Sequence, residues 1–119
     1  MNLFSKLFKS SGAKNKTAPL EEAVLIHLNG RDLPEEIYKK FDLMGLEDEL
    51  AEAIDSQGLG KLDGNKTGPG ETIIFLYGPN ADALYAGIEP ILKKHSLCQL
   101  SRAIVRKGPP GSAQREIRT

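Results

Sequence analysis

Residues 71–92, ETIIFLYGPNADALYAGIEPIL, place a strand directly before a helix and decide the fold class. The first seven residues, ETIIFLY, are rich in β-branched and aromatic side chains, and the Gly-Pro pair at 78–79 is typical of a turn that ends a strand. Asn80 or Asp82 can then cap a helix. The apolar stripe of this helix consists of Leu84, Ile88, Ile91 and Leu92. Because Pro90 lacks a backbone N–H, we expect a kink or a break in the turn before it.

A second strand and helix precede this segment. Residues 22–29, EAVLIHLN, form a compact apolar run that predicts a buried strand. A helix signal follows, with Asp32 as the capping carboxylate and Pro34 in the first turn. Since Gly45 interrupts the apolar stripe of this helix, the sequence predicts one kinked helix or two short ones that end at Gly58.

A glycine-rich segment separates the two strand-helix units. Residues 58–70, GLGKLDGNKTGPG, hold five glycines and one proline. The segment suits either a functional loop or a turn-rich hairpin, with a short strand at 59–62 that leads into a tight turn at Asp63-Gly64. Further along, QLSRAIVRK at 99–107 predicts another strand, and residues 115–119 a short last one.

The order strand, helix, strand, strand, helix, strand is that of an α+β ferredoxin-like sandwich, the split βαβ arrangement, here with a short extra C-terminal strand as an option. We expect residues 20–119 to form a single domain of this class, with its helices on one face of the sheet. The alternative is a looser α+β arrangement in which residues 58–70 are only loop and the sheet has three strands.

Composition excludes several classes of protein. The chain has 119 residues, a net charge of 0, two histidines and one cysteine. Cys98 alone cannot form an internal disulfide, and two histidines cannot complete a zinc site with it. The apolar runs are far shorter than the roughly 18 residues of a membrane-spanning helix, and the start lacks the pattern of a secretory signal. We therefore expect a cytoplasmic protein.

Charge is distributed unevenly: residues 1–19 carry +4, residues 20–63 carry −8 and residues 64–119 carry +4. The first segment predicts a flexible, basic, amphipathic arm, since it is small and polar after residue 10. Residues 1–10 also suit partner docking or contact with a membrane surface. Their apolar side chains at helical spacing are Leu3, Phe4, Leu7 and Phe8. Because so short a helix is marginal in water, we favour the flexible tail over either contact.

The sequence predicts no cofactor and no metal site. The glycine-rich segment lacks the Walker spacing of a phosphate loop, because Gly60-Lys61 is followed by Leu62. The run from Asp63 to Gly68 half-matches a calcium loop. The match ends there, because Ile74 stands at position twelve, where a glutamate would supply two ligands.

The reactive side chains do not form a catalytic pattern. His27 lies within an apolar strand, which is typical of a sheet or core histidine rather than a base. His95 follows two lysines, where a cation favours a helix C-terminus, and Cys98 suits a small buried apolar group. Spacing pairs no nucleophile with a base, so we name no catalytic residue and lean away from an enzyme.

A binding or regulatory role fits this pattern better. Glu47, Glu49 and Glu52 lie on the outer face of the first helix, and such a face suits an immunity-type or adaptor-type module that recognises a protein partner. Arg102 and Arg106 share the outer side of a strand and form a second candidate contact surface. That strand lacks the aromatic residues on which RNA-binding sheets stack bases, so nucleic acid is disfavoured as a partner.

Two alternatives stay open. The chain is a small-ligand-binding domain if the loop at 58–71 is functional, with Asp63, Asn65 and Glu71 as the side chains that contact the ligand. It forms a homodimer if an exposed strand edge pairs with a second copy, because an open sheet offers unpaired backbone groups.

Three motifs resemble those of a known group of proteins: Asp63-Gly64-Asn65, YGPNAD at 77–82 and GPPG at 108–111. On these motifs the chain resembles a family of small bacterial proteins of unknown function. It departs from that family at Lys66, where the family has glutamate, and at Lys107, where the family has tyrosine. The resemblance implies a bacterial, cytoplasmic α+β domain and transfers no catalytic residue.

Overall fold

The structure, a computed structural model, describes residues 22–119. The basic arm predicted over residues 1–19 therefore lies outside the described residues. The elements in chain order are β1 (Glu22–Asn29), α1 (Glu35–Lys40), α2 (Leu43–Gln57), β2 (Lys61–Gly68), β3 (Glu71–Gly78), α3 (Ala81–Lys94), a 3-10 turn (Ser96–Cys98), β4 (Arg102–Arg106) and β5 (Gln114–Arg118). The predicted α+β class is confirmed.

The five strands form one sheet in the order β2-β3-β1-β4-β5, and every neighbouring pair is antiparallel. Strand β1 lies at the centre and pairs with β3 over its whole length, from Glu22 opposite Gly78 to Asn29 opposite Glu71. The alternative of a three-stranded sheet is wrong, because residues 61–68 pair with β3. The short last strand is present as β5.

The hydrophobic core lies between one face of the sheet and the helices. Strand β1 contributes every second residue to it, as expected for a strand with one face toward the core. The fully buried large side chains come from β1, α2, β3, α3, the 3-10 turn and β4, and they are Val24, Ile26, Leu46, Leu50, Ile54, Ile74, Leu76, Leu84, Ile88, Cys98 and Val105.

The predicted start of the first helix is wrong in detail. Asp32 does not cap it: its backbone N–H donates to the Asn29 side chain at 2.8 Å, and α1 begins after Pro34 without a side-chain cap. The chain breaks at Phe41 rather than at Gly45. Asp42 then caps α2 by accepting a 2.8 Å hydrogen bond from the backbone N–H of Gly45. The alternative of two short helices is therefore confirmed.

The strand β2 is longer than predicted, and the predicted tight turn at Asp63-Gly64 is wrong. This pair instead forms a bulge, since the pairing with β3 shifts between Leu62 and Asn65 and Gly64 has a φ of 114°. The hairpin turns at residues 69–70, where a proline precedes a glycine with a φ of 76°. This order suits a type II turn.

Of the kink or break predicted near Gly87 to Pro90, the break does not occur, because helix α3 runs unbroken from Ala81 to Lys94. The carbonyl that loses its hydrogen bond belongs to Ala86, four residues earlier, and both residues lie on the exposed side of the helix. Water can bind this carbonyl, which keeps the cost of the proline low. As predicted, Asn80 caps the helix, accepting from the backbone N–H of Ala83 at 3.0 Å.

Candidate functional site

Cys98 and His95 lie close in the chain and serve the local structure. The Cys98 side chain is buried, and this burial, with a smaller effect of the Glu49 carboxylate, raises the pKa of the thiol to about 12. His95 is the C-cap residue of α3, and its Nδ1 accepts from the backbone N–H of Leu97 at 3.1 Å. A thiol with so high a pKa stays protonated at neutral pH and is a poor nucleophile.

His27 lies on the sheet, away from that pair. Its Nδ1 is 3.2 Å from Glu71 Oε2 and 3.4 Å from an Arg102 Nη atom. Over residues 22–119, no group of three or more His, Cys, Asp or Glu side chains is arranged to hold a metal ion. His27 belongs instead to a polar network with Glu71 and Arg102 on the sheet surface.

The three side chains predicted to contact a ligand are not brought together. Asp63 lies at the bulge of β2, with its carboxylate 3.8 Å from Lys61 Nζ. Asn65 donates a 2.8 Å hydrogen bond to Glu47 on α2. Glu71 lies at the hairpin turn, where its strand pairing with Gly68 places it at the far end of β2 from Asp63. The loop thus divides into two separate surfaces.

The acidic residues of α2 form a solvent-facing surface, as predicted. Glu49 and Glu52 are exposed, and Glu47 is partly exposed beside Asn65. Glu49 Oε2 lies 3.7 Å from His95 Nε2, with more than half of the glutamate side chain exposed. These carboxylates remain accessible to a partner.

Arg102 and Arg106 lie on the predicted outer side of β4, while Ala103 and Val105 belong to the core. Arg102 Nη1 donates to Glu116 Oε1 at 3.2 Å. Arg106 Nε donates to the backbone carbonyl of Gly108 at 2.7 Å. Both guanidinium groups are partly exposed and already engaged, so they contribute charge to the rim of a surface that extends over the sheet.

We call that surface the open face: the side of the sheet opposite α2 and α3. Its apolar side chains are Leu25 on β1, Ile73, Phe75 and Tyr77 on β3, and Ile104 on β4. Four of the five are partly exposed, whereas Ile104 is buried, with 7% of its surface exposed. Leu25 is directly opposite Phe75 on one side and Ile104 on the other, so the row continues across three strands.

At one end of the open face is a polar cleft of about 380 Å³. The residues that define it are His27, Arg31, Glu71, Leu100, Arg102 and Arg118. Three of them are arginines and one is a carboxylate. Leu100 is exposed and has a φ of 56°, in the left-handed region that a leucine rarely adopts.

Sequence reasoning placed Arg102 and Arg106 on the open face but missed the apolar side chains of β1 and β3 on it and the polar cleft. The run ETIIFLY is apolar at nearly every position, which hides the side of the strand that faces solvent. A signal was available, because a strand apolar on both sides needs cover on both faces and the predicted helices cover only one. The cleft had no such signal, since Arg31, Arg102 and Arg118 come from three distant segments.

Comparisons with family models, with curated proteins and with solved structures found no match. Membership of the small bacterial family therefore stays a prediction based on the three motifs. Within the described part of the chain, no helix has the length and apolar character needed to cross a membrane.

Proposed function

We propose that the chain is a small protein-binding module of the immunity or adaptor type, and that it binds its partner through the open face. The observation that carries this proposal is the pair of partly exposed apolar side chains Leu25 and Phe75, which lie opposite each other with the buried Ile104 beside Leu25. An apolar centre inside a charged rim is the usual anatomy of a protein interface. Here the rim includes Arg102 and Arg106.

A partner of this kind also fits the acidic face of α2. The surface formed by Glu47, Glu49 and Glu52 would attract a basic partner over a distance and raise its rate of association. The open face would then supply most of the affinity, because burial of apolar area contributes more than exposed charges do.

We further propose that the fold is the ferredoxin-like sandwich with an added fifth strand. In a split βαβ unit, two strands joined through a helix lie on either side of a third. Strands β1 and β2, joined through α1 and α2, lie on either side of β3. Strands β3 and β4, joined through α3, lie on either side of β1. This order supports two split βαβ units, each of which places a strand between the two strands of the other. Strand β5 extends this sheet at the β4 edge.

The second proposal is the small-ligand-binding domain that uses the loop at 58–71. One observation favours this proposal: Glu71 lines the polar cleft. The same observation limits the ligand site to the end of the loop at Glu71. Asp63 and Asn65 face other partners, Lys61 and Glu47.

Affinity capture of the tagged full-length chain from its native cells, with nuclease treatment, tests the protein-binding proposal. The variant Phe75→Ser removes an apolar side chain from the open face. Met44→Ser is the matched control, since Met44 is an exposed apolar residue on α2. We expect a stoichiometric protein that survives nuclease, binds the Met44→Ser chain and is lost from the Phe75→Ser chain.

Equal capture by both variants would remove the open face from the proposal. Loss of the captured protein on nuclease treatment would indicate a nucleic acid and contradict protein binding. Sedimentation of the purified chain at several concentrations separates a heterologous partner from a second copy: a dimer that dissociates in Phe75→Ser would identify this chain as its own partner.

A further inference from the structure

We propose that the polar cleft binds a small organic oxyanion, a phosphate or carboxylate group, between Arg31 and Arg102. This inference names the ligand class for the small-ligand proposal and rests on it, whereas it is independent of protein binding at the open face.

Two arginines lie opposite each other on neighbouring strands at this end of the sheet, with His27 on the next strand. His27 on β1 is the strand partner of Arg102 on β4, and Arg102 is the strand partner of Arg118 on β5. Like charges directly opposite each other on neighbouring strands disfavour the pairing. The arrangement therefore needs negative charge on the same side of the sheet.

The carboxylates of the protein supply only part of that charge. Glu116 accepts a hydrogen bond from Arg102 at 3.2 Å and forms an ion pair with Arg118 Nε at 2.7 Å, so one carboxylate serves two guanidinium groups. Glu71 Oε2 lies 3.2 Å from His27 Nδ1 and 3.7 Å from Arg102. The distance to Arg102 is too long for a hydrogen bond. Besides its bond to Glu116, the Arg102 guanidinium has only a 3.4 Å contact with His27 Nδ1, so it retains N–H groups that can donate to a further acceptor.

Arg31 adds a cation that is not paired within the described part of the chain, where no carboxylate oxygen lies within 4 Å of its guanidinium group. Its position depends on Gly70 at the hairpin turn. A Cβ atom at Gly70 would lie 2.9 Å from Arg31 Cζ, so the absence of a side chain there lets the guanidinium pack against the turn. Among residues 22–119, the cleft thus holds one guanidinium group without a carboxylate partner, that of Arg31, and one with N–H groups to spare, that of Arg102.

Leu100 suggests the rest of the ligand. It stands next to Arg102 in the cleft, is 60% exposed and has a φ of 56°. A strained residue of this kind persists where the surrounding structure holds it, and such residues cluster at ligand sites. The neighbouring Ser101 is fixed, since its hydroxyl donates to the carbonyl of Cys98 at 2.6 Å. An apolar side chain held beside guanidinium groups fits an anion that carries an apolar part.

The geometry favours an oxyanion over other small ligands. Guanidinium groups donate in a planar fork that matches the oxygens of a carboxylate or a phosphate. A carboxylate and a phosphate share this chemistry, and the two arms of the titration described next distinguish them.

The test is a titration of the full-length, ¹⁵N-labelled chain followed by NMR, with sodium phosphate in one arm and sodium malonate in the other. Sodium chloride keeps the ionic strength constant. We expect saturable shifts at the amides of Arg31, Gly70 and Leu100 in at least one arm. Phosphate alone, malonate alone or both would each support the proposal and identify the source.

Variants then locate the binding. We expect Arg31→Gln to weaken it by about tenfold or more, since a charge-assisted contact is lost. Lys66→Gln is the control, because Lys66 is an exposed cation opposite Ile73, on the same sheet face and outside the cleft, and its loss should change affinity by less than about twofold. Arg31 pairs with no carboxylate of the described chain, so its variant should keep the melting temperature of the parent.

Four results would overturn the proposal. Shifts that grow linearly with concentration in both arms, or equal weakening by both variants, would indicate screening rather than a site. Saturable shifts confined to residues 63–65 would contradict binding in the cleft and support ligand binding by the loop. No shift anywhere would contradict ligand binding by the cleft and by the loop alike. Capture of a protein by the open face is a separate measurement, and none of these four results decides it.

Discussion

The side-chain amide of Asn65 donates a 2.8 Å hydrogen bond to the carboxylate of Glu47. This contact joins the hairpin to α2, and so it joins a residue expected to contact a ligand to one expected to contact a partner. A ligand that took the Asn65 amide would leave Glu47 free to turn outward. The two predicted surfaces are thus coupled through one exposed contact.

A double-mutant cycle with Asn65→Ala and Glu47→Ala measures this contact. We expect a coupling free energy of about 0.5–1 kcal/mol, because the bond is charge-assisted but exposed to water. Urea unfolding of the parent, both single variants and the double variant supplies the four free energies. Additive effects within error would mean that water replaces the bond at no cost.

Charge reversal on α2 tests its role in association. Replacing Glu47, Glu49 and Glu52 by lysine should slow binding of a basic partner by about tenfold at low salt and by less at high salt, since steering is screened. A control with the same change in net charge replaces Glu35, Glu36 and Glu89. Stopped-flow association rates that fall equally in both triple variants would contradict a local acidic surface.

A leucine in the core and a leucine on the open face should differ in how much their truncation lowers the free energy of unfolding. Leu50→Ala removes a fully buried side chain from the core and should cost about 2–5 kcal/mol. Leu25→Ala makes the same chemical change on the open face, where the side chain is partly exposed, and should cost less than about 2 kcal/mol. Equal costs, measured by chemical denaturation, would mean that something in the full chain covers the open face.

Cys98 should resist alkylation in the folded state. Burial raises its pKa from 9.0 to about 12, so at pH 8 the native thiol holds about 10³-fold less thiolate than the unfolded one. Because the folded pKa is the higher one, the associated stability is complete below about pH 9 and is lost as the pH rises toward 12. Iodoacetamide labelling followed by mass spectrometry checks the rate, and rapid labelling of the native chain would contradict the burial.

Asp82 should give α3 a pH-dependent attachment to the end of the sheet. Hydrogen bonds from Lys107, and then from Arg115, lower the pKa of its carboxyl group below 3.8. The stabilisation is therefore complete above the ordinary carboxyl pKa and is lost as the pH falls through the lowered value. Asp82→Asn should lower the melting temperature at pH 7 and have no effect at a pH low enough to protonate Asp82. If the parent and Asp82→Asn differed in melting temperature by the same amount at both pH values, the negative charge of Asp82 would not contribute to stability.

Local signals predicted the parts of the fold that depend on neighbours in sequence. The strand at 22–29 has the predicted bounds, and Asn80 caps α3 because its side chain needs only the next turn. The extent of β2 could not be predicted, since KLDGNKTG has little apolar character and is a strand only because β3 pairs with it. The first helix break was misplaced for a different reason: two local signals, Asp42 and Gly45, compete, and the cap at Asp42 prevails.

The candidate site was less predictable than the fold. Glu47, Glu49, Glu52, Arg102 and Arg106 lie at the surface, as helix and strand periodicity indicated. The cleft around Arg31 requires the ends of β1, β4 and β5 to meet, and pairing between such distant strands follows from the whole core rather than from any short segment.

The bulge at Gly64 sets which residues of β2 can be removed or added without harm. Leu62 and Asn65 are three positions apart, yet each pairs with a core-facing residue of β3, Leu76 and Ile74. Deletion of Gly64 would leave an ordinary ladder in which Leu62 still pairs with Leu76 and still faces the helices, because Leu62 and Asn65 would then be two positions apart. Deletion of a residue between Asn65 and Gly68 would instead shift the register by one and turn side chains to the other face. A residue inserted at the turn after Gly68 would only lengthen an exposed loop. Length variation in this hairpin should therefore occur at Gly64 and at the tip, and not elsewhere along β2.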